Sequence, residues 1–118
     1  EMDPSLEIAV VGDFNVAPLD EDVYDLSMFE THISQPERDA FEAFEQVGLT
    51  DKVRELVPNA YTYWDYKDLC FPKNNGMRID FMLTSEALTE RITAATIERD
   101  ERKGELPSDH VPVVLTIS

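Results

Sequence analysis

Along the chain, apolar residues gather in short runs separated by polar and turn-forming stretches. Ile8-Ala9-Val10-Val11 is a continuous apolar run ending at Gly12. A run this short and this rich in valine and isoleucine predicts a strand over 7–12, buried on both faces. Residues 13–33 carry Pro18 and the acidic cluster Asp20-Glu21-Asp22, without regular periodicity. Ser34-Gln35-Pro36-Glu37 then has the form of a capping box with proline in the first turn. Ala40, Phe41, Phe44 and Val47 follow at helical spacing, and Gly48 closes the helix. A second short helix is expected over 50–57, stopped by Pro58. Residues 61–66 are aromatic and strand-prone, and 67–76 hold Pro72, Asn74, Asn75 and Gly76, the makings of a loop. A strand is expected over 78–84, a helix capped by Ser85 over 86–92, and a strand over 93–99. A charged turn over 100–107 leads to a last strand over 111–117, where Pro112 fits if its missing N–H faces away from the ladder.

Mixed strands and helices place the chain in the α/β (α+β) class. The strands are apolar enough to need cover on both faces, yet the helices suffice for one. A partner sheet is therefore expected outside this segment. With 118 residues, 42% of them hydrophobic, the chain is long enough for one domain. No apolar run approaches the length that crosses a bilayer. The first residues, Glu1-Met2-Asp3-Pro4, have neither the basic start nor the apolar core of a secretory leader. Cys70 is the only cysteine, so no internal disulfide can form, and a reducing, cytoplasmic location is expected. The formal charge of −15 opposes nucleic-acid binding, but it is uneven. Residues 1–60 carry fifteen acids and three bases, while residues 61–118 carry ten and seven, leaving net charges of −12 and −3. Lys67, Lys73 and Arg78, then Arg99, Arg102 and Lys103, leave room for a local basic rim in the second half.

Three polar clusters sit at or near strand ends, where α/β folds place their sites. In Gly12-Asp13-Phe14-Asn15, alternation puts Asp13 and Asn15 on one side if the extended geometry continues. A carboxylate and an amide so placed can hold a phosphate oxygen or a water, although the same residues suit a turn. Asp80, in Arg78-Ile79-Asp80-Phe81-Met82-Leu83, stands inside an apolar strand and needs a partner. That partner is either Arg78, in a structural ion pair, or a group in a catalytic arrangement. Pro107-Ser108-Asp109-His110 offers a metal ligand beside a proton carrier, or else a polar turn in which Ser108 bonds to backbone.

The order and setting of these clusters resemble the C-terminal signature of the endonuclease/exonuclease/phosphatase superfamily. Within it, Tyr61-Thr62-Tyr63-Trp64-Asp65-Tyr66 followed by Asn75-Gly76-Met77-Arg78-Ile79-Asp80 looks like bacterial exonuclease III and related AP endonucleases. The resemblance spans residues 1–118 and implies half of a four-layer αββα sandwich, here one mixed β-sheet with flanking helices. It implies that a complete member is about twice this long. The expectation is then that the N-terminal half, with a strand Asn, a metal-binding Glu and a Tyr near the scissile phosphate, is absent from this segment. Carried over residue by residue, the resemblance makes His110 a general base or phosphate contact oriented by Asp80. It gives Asp109 and Asp13 to the metal, and Asp13 to water activation or protonation of the leaving oxygen. Asn15 would fix Asp13 and touch phosphate, Trp64 would wall a pocket for a base-less sugar, and Arg78 would contact substrate. The implied cofactor is Mg2+, with Mn2+ as a substitute. The implied substrate is double-stranded DNA with abasic sites or 3′ ends, cleaved in base excision repair.

Two other classes compete with this nuclease reading. One is a phosphatase or phosphodiesterase of the same superfamily acting on RNA or a phospholipid or inositol head group, against which the Tyr-Trp-Asp-Tyr run speaks. The other is a non-catalytic module. The chain by itself is expected to be inactive, and to self-associate through a sheet face bearing residues such as Val10, Ile79 or Phe81.

Overall fold

The computed structural model describes residues 4–28, 32–66, 69–104 and 107–118. Strand β1 (Ala9–Asp13) pairs antiparallel with β2 (Asp80–Thr84), in a register that sets Ala9 opposite Thr84, Val11 opposite Met82 and Asp13 opposite Asp80. Strand β3 (Ile92–Ile97) pairs antiparallel with β4 (Val113–Ile117), with an irregularity between Ile92 and Ala94. Both described sheets are thus two-stranded and antiparallel, where a single mixed sheet was expected.

What joins them is the extended aromatic segment. Tyr63 and Met77 exchange backbone hydrogen bonds of 3.0 and 2.9 Å on one side. On the other side the Trp64 N–H donates to the Asp109 carbonyl at 3.0 Å, and the Val111 N–H to the Thr62 carbonyl at 2.9 Å. Residues 62–64 therefore lie between the run entering β2 and the run entering β4. Pro112, outside the β4 ladder, costs no N–H there, and its carbonyl accepts from Glu98 at 2.9 Å.

Helix α1 (Gln35–Gln46) starts at Ser34, whose Oγ accepts the Glu37 N–H at 3.4 Å, with Pro36 in the first turn as expected. Val47 caps its C-terminus, and Gly48 follows at a φ of 100°, a left-handed conformation that glycine adopts without strain. Only Phe41 of the expected apolar stripe is buried. Its ring sits edge-on 4.8 Å from Phe81 and 5.6 Å from Phe14, so one large aromatic anchors the helix while Phe44 and Val47 stay exposed. Helix α2 (Lys52–Leu56) and the single turn α3 (Glu86–Thr89) follow. Ser85 stands at the N-cap of α3 but does not cap it. Its hydroxyl donates to the Leu6 carbonyl at 2.8 Å and accepts from the Ile8 N–H at 2.9 Å, pinning the entry to β1.

Strand alternation divides the β1–β2 pair into two faces. Leu83 and Phe81 join Phe41 and Leu49 in a buried cluster, with Val10 and Phe14 against it. Ile79 packs instead with Ala17, Val23 and Met77. The opposite face carries Val11 and Met82 beside Val113, around an open depression of about 260 Å³. The continuous apolar run of β1 is thus not buried twice over, for Val11 is 56% exposed. The open face is also not the one expected from sequence, since Ile79 and Phe81 are each only 2% exposed. Helix α1 and the 14–23 segment occupy that side. No helix among the described residues is long and apolar enough to cross a membrane.

Candidate functional site

Asp13 ends β1 and Asp80 begins β2, and the register makes them direct cross-strand neighbours on the open face. Two carboxylates so placed repel, unless a cation or proton joins them. His110 supplies that group. Its Nδ1–H donates to both Asp80 oxygens, at 2.8 and 3.0 Å, which leaves Nε2 3.6 Å from Asp13 Oδ2 and 3.9 Å from Asp109 Oδ1. The ring reaches this place because its neighbours are tied to residues 62–64. Tyr63 forms an antiparallel bridge with His110, and the Thr62 carbonyl holds Val111. The Thr62 hydroxyl, fully buried, accepts the Ile79 and Asp80 N–H groups at 3.1 and 3.2 Å and so fixes the start of β2. The His110 N–H is satisfied by Ser108 Oγ at 3.1 Å, the local side-chain bond that the polar-turn reading anticipated.

The electrostatics follow from this crowding. Burial of the His110 ring opposes its charge. The hydrogen bond to Asp80 and the charges of Asp80, Asp13 and Asp109 outweigh that cost, so its pKa is raised above the ordinary histidine value. Burial also raises the Asp80 carboxyl, against the pull of its hydrogen bonds from His110 and Thr62. The two shifts act oppositely on the ion pair, since a raised carboxyl favours neutral partners.

Arg78 does not join this constellation. Its side chain is 1% exposed and turned to the far side of the strand, where Nη1 donates to the Val57 carbonyl at 3.2 Å and Nη2 lies 3.8 Å from Asp51. It is neither the partner of Asp80 nor placed to meet a substrate at the open face. β2 begins only at Asp80, and Arg78 lies outside its ladder. The Arg78 N–H is drawn instead to the Asp22 carbonyl at 2.7 Å.

Trp64 also lies away from the site. It is 1% exposed, packed with Cys70 and Val111, and its Nε1–H donates to Asn74 Oδ1 at 3.1 Å. A cavity of about 180 Å³ touches it, shared with Tyr61, Asn74, Ile97 and Arg99. The aromatic ring at the site belongs to Tyr63, whose centroid is 5.1 Å from that of His110. Period-two alternation through 62–64 separates these neighbours, and that signal was available in the sequence. Asn15 follows Asp13, but the chain does not stay extended. Asn15 has a φ of 52°, its N–H donates to Asp13 Oδ1 at 2.9 Å, and its carbonyl accepts from His32 Nδ1 at 2.6 Å. The role it shows is a turn that orients the Asp13 carboxylate.

Asp13, Asp80 and His110 each offer a ligand atom within 4.8 Å of the others, so a cluster that could hold a metal ion stands at the mouth of β1 and β2. Oxygen donors predominate, which suits a hard divalent cation. Asp80 is already engaged by His110, and Asp13 and Asp109 are the carboxylates that face Nε2.

The sequence profile of the Endonuclease/Exonuclease/phosphatase family matches residues 3–110. The exodeoxyribonuclease of Bacillus subtilis is 34% identical over all of this chain and 47% of its own length. Exodeoxyribonuclease III of Haemophilus influenzae is 34% identical over 96% of this chain and 46% of its own. A solved Neisseria 3′ phosphatase bound to a product DNA hairpin superposes with a TM-score of 0.89 at 34% identity, covering 95% of this chain and 45% of that one. An AP endonuclease from Archaeoglobus fulgidus gives a TM-score of 0.89 at 30% identity, covering 98% and 47%. The chain spans about half the length of the curated relatives it matches.

Proposed function

The chain belongs to the Endonuclease/Exonuclease/phosphatase family, and on that footing we propose that it carries part of the active site of a metal-dependent DNA phosphodiesterase. The reaction would be 3′–5′ exonuclease and abasic-site endonuclease cleavage of double-stranded DNA in base excision repair, in the cytoplasm. The observation that carries this reading is the linked trio at the strand ends. Asp80 holds His110 at 2.8 Å, and His110 turns its other nitrogen toward Asp13 at 3.6 Å. The names of the relatives, exodeoxyribonuclease and AP endonuclease, support the substrate class.

On this reading Asp80 fixes the orientation of the imidazole by accepting the Nδ1–H hydrogen bond. The hydrogen bond to Asp80 and the charges of Asp80, Asp13 and Asp109 outweigh burial and favour the protonated ring, which weighs against a base role. His110 is thus better suited to contact a phosphate oxygen through Nε2–H, and Asp13, held by the Asn15 turn, to take a proton from water. Asp13 and Asp109 would hold Mg2+, with Mn2+ as a substitute. The ion, when bound, would neutralise the phosphate and stabilise charge on the leaving oxygen. The resemblance places the family's Asn, Glu and Tyr in the other half of the relatives, so residues 1–118 assayed by themselves are proposed to turn over little.

The test is an abasic-site duplex incubated with Mg2+ and the 118-residue chain, with and without the complementary half of a relative. Expected is scant cleavage by the chain, some cleavage when the half is added, and loss of that cleavage with a chelator. Faster turnover of RNA or a phosphoinositide than of the duplex would overturn the substrate assignment. Full turnover by the chain unaided would overturn the incomplete-site reading.

A further inference from the structure

The turn that carries Asp109 and His110 is held from a side that has no contact with the reacting groups. Tyr66 is 61% exposed, yet its hydroxyl donates to the Pro107 carbonyl at 2.7 Å, at the head of that turn. Tyr66 is covered in turn by Arg102, whose guanidinium carbon lies 4.8 Å from the Tyr66 ring centroid and 5.4 Å from that of Phe71. Arg102 Nη2–H also donates to the Trp64 carbonyl at 3.2 Å. The N–H of that same residue holds the Asp109 carbonyl. Arg99, from the same 3-10 helix (Arg99–Lys103), lies 4.2 Å over Phe71 and donates to the Phe71 carbonyl at 3.4 Å.

Residues 64–66 are therefore gripped on one side by two arginines and hold the 107–110 turn on the other. Asp13 and Asp80 are set by the β1–β2 register and by the Thr62 hydroxyl, without a contact from Tyr66 or Arg102. The two sides of the site share the 62–64 segment, and only the 107–110 side is further braced by a cation–aromatic stack. Among the described residues Arg102 Nε is buried without a hydrogen-bond partner, and stacking together with the Nη2 bond holds the guanidinium there.

We propose that Tyr66 and Arg102 are positioning residues that set the Ser108–Asp109–His110 turn against the Asp80 carboxylate without touching substrate. The role rests on the reading of Asp109 and His110 as site residues, but its test reads the turn itself and not turnover. A failed nuclease assay would leave this test untouched.

Three observables of the 118-residue chain suffice: the His110 Nδ1–H resonance, amide exchange at Val111 and across β2, and the melting temperature. Tyr66→Phe keeps the ring under Arg102 and deletes only the hydroxyl. It should broaden or shift the Nδ1–H resonance and speed Val111 exchange about fivefold, the loss of roughly one hydrogen bond. The amides of β2 should change less than Val111, and the melting temperature should fall by no more than the several degrees that about one hydrogen bond accounts for. Arg102→Lys keeps the charge but not the planar stack and should move the same two signals in the same direction. Asp80→Asn, which removes the acceptor, identifies the resonance. An unchanged Nδ1–H signal and unchanged Val111 exchange in Tyr66→Phe would overturn the proposal. So would a change spread equally over β2, which marks general destabilisation and not positioning.

Discussion

Replacing Asp80 by Asn keeps the size of the side chain and removes the charge that faces His110. In the structure this breaks a two-oxygen contact at 2.8 and 3.0 Å, between groups whose side chains are 17% and 29% exposed. A hydrogen bond to a charged partner contributes about 1.5–3 kcal/mol. Part of that is offset by the cost of burying Asp80, so a coupling of about 1–2 kcal/mol between positions 80 and 110 is the structural expectation. Urea unfolding of Asp80→Asn, His110→Asn and the double variant measures it as a cycle. The catalytic consequence should be larger. Loss of the tautomer-holding carboxylate in a comparable Asp–His pair costs about 10⁴-fold in kcat, which serves here as an upper guide. With the complementary half supplied, Asp80→Asn should therefore lose most cleavage, and the double variant should be little worse than His110→Asn, because the two residues act as a unit. Pairing of Asp80 with Arg78 no longer competes as an explanation, since Arg78 is turned to Asp51 and Val57. Coupling below about 0.5 kcal/mol, the range found for independent sites, together with near-normal turnover in Asp80→Asn, would refute the dyad.

Other outcomes follow from the same geometry. The open face bearing Val11, Met82 and Val113 should drive self-association, because exposed apolar patches associate; sedimentation should show Val11→Lys shifted toward monomer, and a wild-type chain that stays monomeric at high concentration would contradict this. His110 has a folded-state pKa raised above about 6.5. The stability it contributes is thus complete below about pH 6.5 and lost as pH rises through the raised value. Asp80, also raised, weakens the fold in the same direction from about pH 3.9 upward, so His110→Asn should flatten the melting curve against pH only in the upper window. Finally, Asp13→Asn and Asp109→Asn should each weaken Mn2+ binding, read by titration calorimetry, by about tenfold or more, as expected when one anionic oxygen ligand is lost; unchanged affinity in both would remove them from the metal site.

Much of this protein is legible in one dimension. The start of α1 at Ser34, its stop before Gly48 and the existence of four strands follow from local rules, because caps, turns and alternation act between residues near in sequence. The bounds expected at 7–12, 78–84, 93–99 and 111–117 became Ala9–Asp13, Asp80–Thr84, Ile92–Ile97 and Val113–Ile117, with Arg99 in a 3-10 helix. Asp13, Asp80, Asp109 and His110 stand out for the same reason, as polar groups at the mouths of apolar runs. Which partner each polar group takes was settled only by the fold. Asp80 had Arg78 two residues away, yet it meets His110 thirty residues on, because the 62–64 segment draws the runs entering β2 and β4 together. The same packing sends Trp64 inward and Tyr63 to the site, and ends the extended path of Asp13 at a left-handed Asn15. It also decides which face of β1 and β2 lies open. A continuously apolar strand has two apolar sides by composition, and the docking of α1 through Phe41 against Phe14 and Phe81 selects the buried one.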